Sequence, residues 1–387
     1  MARHRRGGAA GPISASLLIA LALPIGARAA DDIVVGAAVP ITGPLSLSGR
    51  QYYDSLQMAQ DDINAKGGIN GRKLKIVFED TQASNSTAVN AFVKIHQEHK
   101  PPFVFLSSYS TQNLATSPEV LKAQVPVFYA GGADAIAEQG NKWMFRIRPY
   151  DGAAAVAMAR FVKEGLKKTR PGILYIQNDF GQGAANVASE MFRKEGIAVA
   201  GTEAYGQNDK DMSAQFLSLK NKGADSLLAF VYPTDGALLM KQAKQLGFDM
   251  PFVGSSGAFL PATLNLVSAE ELKGVWGVVD AFLDPDKDPA VKDFVERYKK
   301  RFNRDADPYA ASYYDAAMIL ADGLRKLGPD PAKLRDHVAG VKGYKGVGHI
   351  YSFDSVGNGV HDVGVIDFAP GSKTMRFVQR IELPPKD

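Results

Sequence analysis

Short runs of apolar and β-branched residues alternate along the chain with longer stretches whose apolar positions recur every three or four residues. The runs at 33–39 (IVVGAAV), 74–79, 103–106 and 125–129 read as buried strands. The stretches between them, at 51–65, 87–99 and 110–123, read as amphipathic helices. After residue 150 the rhythm restarts, with helices over 153–167, 184–195, 212–222 and 236–246 alternating with strands over 172–177, 197–203, 226–231 and 252–254. Strands that are apolar along their whole length and alternate with helices belong to parallel sheets covered on both faces. Two such runs predict an α/β protein of two lobes, each a mostly parallel sheet with helices on both faces. From 289 to 327 the rhythm breaks into two helical patterns, followed by extended runs at 349–353 and 363–368. This tail is too small for a sheet of its own and must pack on an earlier lobe; periodicity does not say which.

Composition narrows the function more than the fold. The 387 residues are 45% hydrophobic and 22% charged, which suits two globular domains. Cysteine is absent, which excludes thiol nucleophiles, thiolate zinc sites and iron–sulfur centres. The formal charge of +4 comes from Arg3, Arg5, Arg6 and Arg28; without them 41 basic residues face 41 acidic ones. A neutral body gives no electrostatic case for nucleic acid or anionic lipid. Those arginines belong to a leader: a basic start, an apolar stretch over 13–25, then Ala27-Arg28-Ala29 with small residues where a signal peptidase reads. Gly7, Gly8, Gly11, Pro12 and Pro24 dilute the stretch, so it reads as a cleaved export signal over residues 1–29 rather than an anchor. Cleavage falls after Ala29 and the destination is the periplasm.

Catalytic and cofactor motifs are thin. Gly371-Ser372-Lys373-Thr374 lacks the upstream glycine of a phosphate loop, and Gly181-Gln182-Gly183 lacks the third glycine of a dinucleotide loop. Gly254-Ser255-Ser256-Gly257 misses the spacing of a nucleophile elbow by one residue. His96 and His99 share a helix face, but no third ligand is nearby, and histidines suit the negative end of a helix. No metal or cofactor is expected, and no enzyme. Two loops stand out instead. Ser107-Ser108-Tyr109-Ser110-Thr111 follows a strand and opens a helix, so hydroxyls and free N–H groups converge at a positive helix end. Ala130-Gly131-Gly132-Ala133 follows the next strand and has no bulk to shield its N–H groups. Both leave the carboxyl ends of parallel strands, where open α/β sheets bind ligands.

Ile41-Thr42-Gly43-Pro44 after the first strand, the segment DINAKGGINGRKL over 62–74 and Asp179-Phe180-Gly181-Gln182-Gly183 resemble the leucine/isoleucine/valine-binding group of periplasmic substrate-binding proteins of ABC importers. The resemblance runs from about residue 33 to 368. It implies a type I periplasmic binding fold: two Rossmann-like lobes joined by three crossovers near 149–151, 279–282 and 359–362. Lobe one would hold 30–150 plus 281–360, lobe two 151–280 plus 361–387, and Tyr150, Asp151 and Asp280 would sit at the hinge. The partners it implies are a small solute and a membrane permease with its ATPases, the protein itself acting as a monomer. By position, Ser108 and the Gly131 N–H match the family's carboxylate clamp, Ala133 replaces a threonine donor, and Phe180, Tyr232 and Tyr309 fall at aromatic cleft positions. Ser256 stands where amino-acid binders carry the glutamate that pairs the ligand's ammonium. The expected ligand is therefore a small carboxylate without an α-amino group, an aryl or 2-oxo acid. The alternative is a neutral or aliphatic amino acid held by Asp151 or Asp235.

Overall fold

The structure, a computed structural model, describes residues 1–2, 7–8 and 31–383; the leader reading falls almost wholly outside them. The chain first builds β1 (Ile33–Val39), α1 (Ser46–Ala65), β2 (Leu74–Asp80), α2 (Asn85–His99), β3 (Val104–Leu106), α3 (Ser110–Ala123), β4 (Val127–Tyr129), α4 (Asp134–Glu138) and β5 (Met144–Arg146). It then crosses to a second body. There it forms α5 (Asp151–Arg160), β6 (Pro171–Ile176), α6 (Asp179–Lys194), β7 (Gly201–Tyr205), α7 (Ser213–Asn221) and β8 (Ser226–Phe230). The same body continues with α8 (Pro233–Gln245), β9 (Phe252–Ser255), α9 (Pro261–Leu264) and β10 (Val275–Val279). A second crossing leads to α10 (Pro289–Phe302), α11 (Pro308–Leu327), α12 (Pro331–Ala339) and the small ribbon of β11 (Tyr344–Lys345) and β12 (Ile350–Tyr351). A third returns to β13 (Val363–Phe368) and β14 (Met375–Ile381).

The first sheet has the order β2-β1-β3-β4-β5 and is parallel throughout. The second has the order β14-β13-β10-β9-β8-β6-β7, parallel from β10 to β7 and antiparallel at β13 and β14. Its central strands are buried residue by residue, as the unbroken apolar runs require. Helix starts carry their caps: Ser84 accepts from Thr87 N–H, Asn178 from Gly181 N–H, and Asp307 from Ala310 N–H. Such caps bring α2 and α6 in earlier than their apolar periodicity shows. The strand expected at 197–203 starts only at Gly201, because Ile197 and Val199 pack on the core without joining the ladder. The strand expected from 125 starts at Val127, since Pro126 has no N–H to give.

The tail packs on the first lobe. Tyr313, Leu320 and Leu324 of α11 share one core with Tyr52, Leu56 and Ile63 of α1. The 62–74 segment contributes directly. Asp62 accepts from Arg297 Nη1 and Tyr314 Oη, both at 2.7 Å, while neighbouring Asp61 pairs with Arg301 at 2.6 Å. Asn70 donates to the Arg325 carbonyl, and Arg325 Nε donates to the Gly68 carbonyl. Asn70 and Gly71 both have positive φ, 52° and 84°, and close a tight turn in which Ile69 bridges Arg72. Gly68, at φ 69°, leaves no room for a Cβ against the Arg72 carbonyl. The most family-specific stretch of sequence is thus a clasp for the returning helices, and none of it lines the cavity between the lobes.

Candidate ligand-binding site

Between the lobes lies a cavity of about 50 Å³, walled by loops from the carboxyl ends of parallel strands of both sheets. In the first sheet β1 lies between β2 and β3, so the strand order reverses there, and in the second it reverses between β8 and β6. Loops diverge at such points and leave a crevice. Ser108 and Tyr109 follow β3, Asn178 and Phe180 follow β6, and Tyr232 follows β8.

On the lobe-one side, Ser108 Oγ lies 2.5 Å from Tyr52 Oη, and Tyr52 stacks on Tyr313 at 4.5 Å. Ser107 Oγ donates to Gln112 and accepts from Tyr109 N–H, which pins the turn into α3. No side chain caps α3, so its first turn meets the cavity through Ser110 with the positive end of the helix uncovered. The 130–133 loop is held from behind: buried Arg146 donates to the carbonyls of Gly132 and Ala133, each at 2.8 Å.

A charged cluster forms the floor. Arg148 Nη1 reaches Asp151 Oδ1 at 2.9 Å, and its Nε and Nη2 reach the two carboxylate oxygens of Asp280 at 2.5 and 3.1 Å. Arg148 and Asp151 are 7% and 3% exposed and both line the cavity. Asp151 Oδ2 is cut off from solvent and has no protein partner. Burial pushes the Asp151 carboxyl up, opposed by the Arg148 and Arg146 guanidiniums. Within the ion-paired triad one guanidinium is shared between two carboxylates.

On the lobe-two side Phe180 and Tyr232 stack at 5.5 Å, and Asn178 Nδ2 donates to Tyr232 Oη. Tyr109 of lobe one meets Tyr232 edge-on at 5.4 Å across the cleft. Tyr309 completes the wall beneath Arg148, whose guanidinium lies 6.0 Å from the ring centre.

Of the positions singled out in the sequence, Ser108, Phe180, Tyr232, Ser256, Tyr309 and Asp151 lie on one cavity wall. Gly131 and Ala133 do not. Gly131 turns its Cβ side to Asn113 and Ile136, the Ala133 N–H is taken by Ser110 Oγ at 3.1 Å, and Gly132 is the wall residue. Ser256 lines the cavity, but its hydroxyl accepts from Asp280 N–H at 3.0 Å and faces the Val278 carbonyl, so it is not the free donor expected. Asp235 lies off the wall; its carboxylate accepts from Tyr205, and burial raises it to about 6. Tyr150 is half-buried beside Asp151, and Asp280 borders the neighbouring groove. Tyr52 and Arg148 were not anticipated. The signal for Arg148 is Arg146-Ile147-Arg148 leaving a buried strand, with an acid three residues on. Among the described residues no group of three or more His, Asp or Glu stands close enough to hold a metal.

Known proteins share this plan. Over 359 residues the chain is 28% identical to Leu/Ile/Val-binding protein homolog 7 of Brucella abortus, covering 87% of this chain and 90% of that protein. It is 26% identical over 309 residues to a leucine-, isoleucine-, valine-, threonine- and alanine-binding protein of Pseudomonas aeruginosa, covering 80% and 82%. In fold it is similar to a leucine-binding protein of Thermotoga maritima (TM-score 0.81, 24% identity, 90% and 99% covered). A branched-chain amino acid transporter binding protein of Streptococcus pneumoniae, solved with isoleucine, matches equally (TM-score 0.81, 22% identity, 90% and 99% covered). The sequence pattern of the periplasmic binding protein family matches residues 32–371, and to that family the chain belongs.

Proposed function

We propose that this protein is the solute-binding component of an ABC importer of the branched-chain amino acid type. It is exported behind a leader cleaved after Ala29 and works in the periplasm as a monomer. There it traps a small solute between its lobes and hands it unchanged to a membrane permease driven by ATPases. The ligand is a small α-amino acid. Its carboxylate lies at the Ser108 hydroxyl and the uncapped end of α3, and its ammonium lies at Asp151. The unpartnered Asp151 Oδ2 carries the reading: one guanidinium is shared between two buried carboxylates, and a buried carboxylate oxygen without a partner costs several kcal/mol (an estimate). An ammonium supplies that partner; a ligand that is only an anion faces the charge instead. The relatives named for leucine, isoleucine, valine, threonine and alanine support the same class.

The second reading is the aryl or 2-oxo acid, and the aromatic wall of Phe180, Tyr232 and Tyr309 favours it. Against it stands the engaged hydroxyl of Ser256. One experiment separates the two. Protein recovered from the periplasmic fraction, with Ala30 at its N-terminus, is heated with leucine, isoleucine, valine, threonine or alanine, and in parallel with benzoate, phenylglyoxylate or 2-oxo acids. A ligand at 100 times its Kd adds about 2.7 kcal/mol of stability. Amino acids should raise the melting temperature, and Asp151→Asn should abolish the rise. Stabilisation by the amino-free acids alone would transfer the assignment to the second reading.

A further inference from the structure

The three crossovers between the lobes meet at one point. Arg148 of the first is ion-paired to Asp280 of the second, and His361 of the third lines one groove with Asp280. His361 lies between the Phe353–Gly359 bridge, which belongs to lobe one, and β13, which begins at Val363 in lobe two. Its ring stacks on that of His349, with centroids 4.0 Å apart and planes 17° from parallel. His349 sits in the turn between β11 and β12 of lobe one, where its carbonyl accepts from Gly346 N–H. Two imidazoles therefore join lobe one to the third crossover. His361 Nδ1 donates to the Asp362 carbonyl at 3.0 Å, which leaves Nε2 the unprotonated nitrogen of the neutral ring. The Nε2 of each ring has neither solvent nor a partner.

Charges of both signs surround the stack. Arg148 opposes a proton on His361 and Asp280 favours one; Asp362 is paired with Arg380 at 3.5 Å. Asp284, Lys287 and Asp288 of the second crossover and Lys345 of β11 line the groove that the two rings face. Tyr351 packs edge-on against His349. With Asp151 on Arg148 the acids outnumber the bases by one, and Asp280 and Asp362 favour a proton on His361. Loss of solvation outweighs them. Burial holds His349 well below the ordinary histidine range, with His361 as a further cause, and burial also holds His361 below it.

We propose that the His349–His361 stack is an acid-released catch on the hinge. Neutral, it seats the third crossover on lobe one and favours closed lobes; protonated, like charges in contact drive the crossover away and favour opening. A proton binds more readily to the open form, so closure is at full strength near pH 7.5 and weakens as pH falls below about 6.5. The catch depends on the two-lobed fold and on no choice of ligand.

The cysteine-free chain allows a direct test. Ser86→Cys on lobe one and Gln207→Cys on lobe two, both exposed at the mouth of the cleft, take a donor and an acceptor dye. Energy transfer is then followed in ligand-free protein from pH 7.5 to 5. The interlobe distance should lengthen with acid in the parent and stay constant in His361→Gln and in His349→Gln. Either replacement suffices should the other fail to fold, which circular dichroism at pH 7.5 reports. A parent distance independent of pH, or a folded glutamine variant that opens like the parent, would overturn the proposal.

Discussion

Arg148 is in contact with both Asp151 and Asp280, and all three are nearly buried. Removing one partner from such a cluster costs more than the cluster was worth, because the remaining charges stay desolvated. Arg148→Met should therefore lower stability by about 3–5 kcal/mol in urea unfolding. Adding Asp151→Asn and Asp280→Asn to it should recover most of the loss; failure to recover would mean the arginine acts through packing on Tyr309 instead. Ser108 was legible as a ligand-loop residue because its loop leaves a strand end and opens a helix; Phe180, Tyr232 and Tyr309 were legible only through the family resemblance. Tyr52 and Arg148 were not. A tyrosine inside a helix and an arginine after a strand look the same whether they face a cavity, a core or water.

Helix α11 shows how one position can serve an element at a cost. Asp307 caps it, accepting from Ala310 N–H at 2.8 Å, while burial raises its carboxyl to about 7. Between about pH 4 and pH 7 the folded chain holds this proton and the unfolded chain has lost it. Stability from this group therefore falls as pH rises through that interval and levels off above it. Asparagine caps as well as aspartate and carries no charge. Asp307→Asn should match the parent's melting temperature near pH 4.5 and exceed it at pH 8. An equal or lower melting temperature at pH 8 would show that the carboxylate is compensated. Long elements such as β1, α3 and α11 were legible from apolar period alone. Strand β14, with most of its residues exposed, and β5, of three residues, carry too little pattern to announce themselves.

Across the whole molecule, Tyr109 of one lobe lies edge-on to Tyr232 of the other. Such a pair is worth about 0.5–1.5 kcal/mol beyond its burial, so Tyr109→Ala should shift the closed-to-open ratio roughly two- to tenfold toward open. Small-angle scattering would show this as a larger radius of gyration. An unchanged radius would mean the pair forms only once ligand is in place. The sequence by itself determined the two parallel α/β lobes, through continuous apolar strands set between amphipathic helices. The 62–74 segment also carried the resemblance to the family, though only the tertiary structure shows it to be a clasp for the returning helices. Tertiary structure alone decided which of Gly131 and Gly132 faces the cavity, that the Ser256 hydroxyl is already engaged, and that Arg148 leaves one oxygen of Asp151 unpaired. Period and composition are properties of a single stretch of chain. A cavity wall is assembled from loops of two sheets, and the direction in which each side chain points there depends on neighbours remote in sequence.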